Sequence, residues 1–141
     1  MKNSRNAYRE VFFNVWKKIE QQDTIADPME NIISQIIKQH PEYHQTLSEY
    51  EKNIDKDYPP EAGISNPFMH MSMHISIAEQ LSINQPDGIQ SIYTQLCTKM
   101  KDTHATEHHI MDCLGETMWA AQKNQTEPDM QQYLNCIRKK L

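Results

Sequence analysis

Glycine is nearly absent: the chain has 141 residues and only three glycines, Gly63, Gly88 and Gly115, each standing alone. That excludes a turn-rich β protein and any glycine-rich loop that cradles phosphate, since no G-x-G-x-x-G or Walker-type run occurs. Cysteine is also sparse. Cys97, Cys113 and Cys136 are odd in number and include no C-x-x-C, so neither a disulfide framework nor a cysteine-rich zinc module is indicated. The first residues, Met1 to Trp16, carry charges throughout and have no apolar leader segment. No apolar run reaches the length of a membrane span. Together these absences predict a cytoplasmic protein with free thiols and no membrane partner.

Charge of one sign is missing as well. Fourteen basic and nineteen acidic residues give a net charge of −5, and the two signs are mixed along the chain. Nucleic-acid binding concentrates Lys and Arg on one face. The only basic cluster is Arg138-Lys139-Lys140, which argues against a nucleic-acid partner.

Helical periodicity fills the space these absences leave. Residues 4–21 place Tyr8, Val11, Phe12, Val15, Trp16 and Ile19 on one stripe. A second helix opens at Asp27-Pro28-Met29-Glu30, with Asp27 as N-cap and proline in the first turn, and turns Met29, Ile32, Ile33, Ile36 and Ile37 inward. Pro41 ends it and starts a short third helix that runs to about Lys52. The segment from Asn53 to Asn66, with Asp55, Asp57, Pro59, Pro60 and Gly63, reads as a surface loop. Further helices follow from Pro67 to Ile83, from Ile89 to about Met100, from Thr103 to Asn124, and from about Asp129 to Arg138. Strand alternation is absent. The expectation is a single all-α domain over residues 1–141, a compact helical bundle of four main helices plus shorter ones.

Histidine is what the chain has in excess. Six of its seven histidines fall in three H-x-x-x-H pairs: His40/His44, His70/His74 and His104/His108. Residues four apart share a helical face, so two imidazoles can converge on one ion. In the fourth helix His70 and His74 lie with Ile77, Ala78 and Leu81 on the apolar arc, opposite Ser72, Ser76 and Glu79. In the sixth, His104, Glu107 and His108 lie with Met111, Leu114, Met118 and Trp119, while His109, Asp112, Cys113 and Glu116 point away. Pro41 lies inside the first pair, so His40 and His44 are not expected to share a regular face.

Inward imidazoles need partners for two ring nitrogens each, and an inward Glu must be paired, neutralised or bound to a cation. A metal ion meets these demands together, and histidine and carboxylate are zinc and iron ligands. His70, His74, His104, Glu107 and His108 are therefore the candidate ligands of a zinc or iron site. The rival reading is a non-enzymatic interaction or scaffold protein with a metal-free, histidine-lined polar core. His104-Ala105-Thr106-Glu107-His108 also matches the H-x-x-E-H string of inverted zinc peptidases, but the chain is short for such an enzyme's cleft. No histidine has Glu three residues before it, as a ferritin-like di-iron site would require. No reaction or catalytic residue follows from these patterns.

Several ordered motifs point to one family. His40-Pro41-Glu42-Tyr43-His44, Asn66-Pro67-Phe68-Met69-His70-Met71-Ser72-Met73-His74, Glu79-Gln80-Leu81-Ser82-Ile83, Gln85-Pro86 and His104-x-x-Glu107-His108-x-x-Met111-Asp112-Cys113-Leu114-Gly115-Glu116 together resemble the bacterial domain-of-unknown-function family numbered 1841. The resemblance covers nearly the whole chain. It implies a short bacterial protein and supplies no catalytic residues.

Overall fold

A computed structural model describes residues 2–59 and 66–141, and every regular element among them is helical. The all-α expectation holds, with four main helices and shorter ones between them. The chain divides into two compact units, residues 1–75 and residues 76–141.

The first unit contains α1 (Lys2–Glu20), α2 (Pro28–Lys38), a 3-10 turn (Pro41–Tyr43), α3 (His44–Ser48), α4 (Tyr50–Asn53) and the first half of α5 (Pro67–Ile83). Asp27 caps α2, its carboxylate accepting from the Glu30 amide at 2.9 Å. The Glu30 carboxylate receives the Lys18 ammonium at 2.7 Å. Asn66 starts α5 by accepting from the amides of Phe68 and Met69. The core gathers Phe12, Phe13, Val15, Ile33, Ile36, Ile37, Leu47, Ile54, Phe68 and Met71.

The inward face of α1 differs from the sequence expectation. Tyr8 and Val11 are exposed, whereas Arg9 and Phe13 are buried. The reason is the Arg9 guanidinium. It donates to the carbonyls of Ile54 at 3.0 Å and Lys56 at 2.7 Å, where the chain leaves α4. It also lies over the Phe68 ring, 4.8 Å from its centroid. A hydropathy pattern counts arginine as outward and turns the helix the wrong way.

The expected third helix is broken as well. The backbone of Glu49 leaves helical geometry at φ −116°, ψ 69°. The Asn53 side-chain amide donates to the carbonyls of Thr46 and Glu49, both at 3.0 Å, tying the two sides of the break together. Of the expected surface loop, Asn53 and Ile54 are buried and Asp55, Asp57 and Pro59 are exposed. Pro60 and Gly63 lie outside the described residues.

The second unit contains the rest of α5, α6 (Ile89–Met100), α7 (Thr103–Asn124) and α8 (Met130–Arg138). Gly88 enters α6 at φ +95°, a conformation that glycine adopts without steric cost. Asp102 caps α7, and Asp129 caps α8. Packing of α7 against α6 and α8 buries Ile89, Ile92, Leu96, Ile110, Leu114, Leu134 and Ile137. The buried Tyr133 hydroxyl donates to Gln80 Oε1 at 2.7 Å, and burial pushes its pKa up.

Here two expectations are corrected. Cys113 is buried, not on a polar face, and it forms a disulfide with Cys136. Cys97 is the free thiol. Met118 and Trp119, expected inward, are exposed by 47% and 63%. The α7–α8 hairpin explains both. By covering the Cys113 side of α7, α8 draws the helix's buried face away from Trp119. The pairing spans 23 residues with no short motif, so spacing gave no sign of it. A closed loop of this length restricts the unfolded chain enough to contribute about 3 kcal/mol. Reduction is therefore expected to lower the unfolding free energy of the second unit by about 3 kcal/mol. Urea titration of the helical signal with and without reductant measures this, and coincident curves would contradict it.

Candidate metal centre

His40 sits where α2 ends, held at φ −126°, ψ 65° by Pro41 after it. Its ring is fully buried. Nδ1 lies 2.7 Å from the Ile36 carbonyl oxygen. A carbonyl only accepts, so Nδ1 carries the proton and Nε2 carries the lone pair. A backbone carbonyl on one ring nitrogen is the usual support for a metal-bound imidazole.

Three imidazoles of the first unit meet around this point. Ring centroids lie 4.8 Å apart for His40 and His74, 5.0 Å for His40 and His70, and 5.0 Å for His70 and His74. His74 is fully buried, whereas His70 is half-buried. Tyr43 stacks in parallel on His40 at 5.4 Å, and burial raises its hydroxyl pKa. His44, the other member of the first pair, turns elsewhere: its ring stacks on Trp16 at 4.4 Å and its Nε2–H donates to the Ile37 carbonyl at 2.8 Å.

On the second unit, His104 and His108 share one face of α7, half-buried, with ring centroids 4.4 Å apart. Glu107 between them is half-buried. Its charge, after burial and a hydrogen bond with Cys97, helps raise the pKa of the Tyr93 hydroxyl. His109, expected outward, is half-buried.

These spacings can be compared with coordination geometry. Metal–nitrogen bonds of about 2.0–2.1 Å put the centroids of two imidazoles on one ion about 4.5 Å apart at a right angle and about 5.2 Å apart at a tetrahedral angle. The His40/His74 and His104/His108 pairs, at 4.8 and 4.4 Å, lie within or at the edge of that range, as do the two His70 pairs at 5.0 Å.

Comparison with known families decides the kinship. The model for Domain of unknown function (DUF1841) matches residues 4–139. The chain belongs to the DUF1841 family. No curated protein and no solved structure matches it. In this DUF1841 chain, His40, His74, His104 and His108 are a donor set that could hold a metal ion. Of the residues singled out by sequence, His74, His104 and His108 are in that set, and His70 and Glu107 are not. His40 is the donor that helical periodicity passed over. Pro41 breaks the face it would share with His44, which removes the pattern that spacing detects. The available signal was its place just past the end of an amphipathic helix, with a buried stripe immediately before it. No helix among the described residues of the DUF1841 chain is long and apolar enough to cross a membrane.

Proposed function

We propose that this protein binds one divalent metal ion, zinc or iron, with His40, His74, His104 and His108 as ligands. The observation that carries this reading is the buried His40 ring, its Nδ1–H fixed on the Ile36 carbonyl at 2.7 Å with the second buried imidazole, His74, at ligand spacing. Imidazole nitrogen is a zinc and iron ligand, and two rings at this spacing suit one ion. His70, packed edge-on against both rings, orients them. Glu107 beside His104 and His108 supplies negative charge that offsets part of the cation's.

The test is a titration of chelator-treated full-length protein with zinc and with ferrous iron. A ligand that binds only the folded state stabilises it by about 2.7 kcal/mol when present at 100 times its dissociation constant. Melting temperature is therefore expected to rise on metal addition and to fall again with chelator. Protons compete for imidazole, so the rise should shrink as pH drops through the ordinary histidine range near about 6.5. Stoichiometry tests the sharing: one ion per chain, lost on replacing either His74 or His104, is the expected result. Two independent ions, each lost with only one of these variants, would contradict a shared site. A melting temperature indifferent to metal would leave the histidines as a metal-free polar core.

A further inference from the structure

The two sulfurs of the Cys113–Cys136 disulfide occupy unlike surroundings. Cys113 is fully buried in α7. Cys136, on α8, is half-buried and forms part of the wall of an open cleft of about 680 Å³. Glu116, Asp129, Gln132, Asn135 and Lys139 also line that cleft, giving it two carboxylates and one ammonium, and the Glu116 carboxylate lies 3.6 Å from Cys136 Sγ.

This asymmetry suits directed thiol–disulfide exchange. An incoming thiolate must reach one sulfur from the side opposite the S–S bond, while the other sulfur stays shielded from external thiols and is kept to resolve the mixed disulfide. A disulfide with a purely structural role does not require a cleft beside one of its sulfurs. We infer that Cys113–Cys136 is an exchange site for low-molecular-weight thiols bearing carboxylate and ammonium groups. The Lys139 ammonium meets the carboxylate of such a thiol, and Glu116 meets its ammonium. The amides of Gln132 and Asn135 suit a peptide-like body between the two charges.

The reaction balances with two thiols. The first, as thiolate, attacks Cys136 Sγ; the S–S bond breaks, and Cys113 Sγ leaves with the electron pair and takes the proton that the thiol gave up. A mixed disulfide on Cys136 results. A second thiol attacks the small-molecule sulfur of that mixed disulfide, releasing the oxidised dimer of the thiol and leaving Cys136 as a thiol. Two electrons pass to the protein, and the reverse sequence reoxidises it.

The test uses full-length protein carrying Cys97→Ser, so that no third thiol competes. It is incubated in reduced and oxidised glutathione, quenched with acid and weighed by mass spectrometry. The expected result is reversible interconversion of disulfide and dithiol in protein whose helical spectrum is unchanged. On the same background, Cys113→Ser should trap the glutathione adduct on Cys136 at least about tenfold more than Cys136→Ser traps it on Cys113. Lys139→Glu should slow reduction by glutathione several-fold and leave reduction by uncharged 2-mercaptoethanol unchanged. Because a serine variant can fail to fold, the Cys97→Ser parent is also assayed in native buffer and in urea. Reduction that occurs only in urea would overturn the proposal, as would equal adducts on the two cysteines or equal slowing of both reductants by Lys139→Glu.

Discussion

Replacing His40 with Ala is expected to raise the dissociation constant for the metal about 100-fold and to abolish the metal-dependent rise in melting temperature. The magnitude follows from ligand count. Apparent binding free energies of about 10–16 kcal/mol for structural zinc, spread over four ligands, make each worth about 3 kcal/mol, or about 100-fold in affinity. His40 is fully buried and has its Nδ1–H committed to the Ile36 carbonyl, so no other rotamer or side chain replaces its lone pair. The control is His44→Gln. The His44 ring lies on Trp16 and its Nε2–H is on the Ile37 carbonyl, so this change should leave metal affinity within about twofold while costing a fraction of a kcal/mol in stability. Isothermal titration of both variants, each first checked for its helical spectrum, makes the comparison. Equal affinity in the His40 variant and the parent would remove His40 from the site.

Arg9→Met is expected to cost the first unit about 3 kcal/mol. Methionine keeps the packing of the arginine stem, so the loss isolates the guanidinium. That group supplies the donors for the Ile54 and Lys56 carbonyls, and a bond from a charged donor is worth about 1.5–3 kcal/mol. Its place over Phe68 adds about 1 kcal/mol. Relief from burying the charge offsets part of the sum. Urea unfolding should show the midpoint moving to lower denaturant, and residues 54–59 should become accessible to protease before the helices do. An unchanged midpoint would mean that water serves these carbonyls equally well.

Arg9 also marks where sequence reading reaches its limit. Helix existence was legible throughout because proline, Asp27, Asn66, Gly88 and apolar periodicity act locally, and each depends on residues within one or two turns. Which face of a helix is buried depends on what packs against it. For α1 the deciding partners are carbonyls about 45 residues away, and for α7 the decider is α8. The inward placement of His74 and Ile77 on α5 was legible because both lie in the middle of its apolar arc. The disulfide was not, since Cys113 and Cys136 meet only through the α7–α8 hairpin. His40 was missed for a related reason. Its position comes from the geometry that Pro41 imposes after α2, where 3.6-residue periodicity no longer applies.

The central claim is that the histidines hold a metal, and elemental analysis of protein purified without a histidine tag or added metal tests it most directly. The account predicts one zinc or iron per chain, removed by chelator and absent from the His40→Ala and His104→Ala variants. Protein that is folded, free of metal as purified and unable to take up zinc or ferrous iron at neutral pH would contradict it.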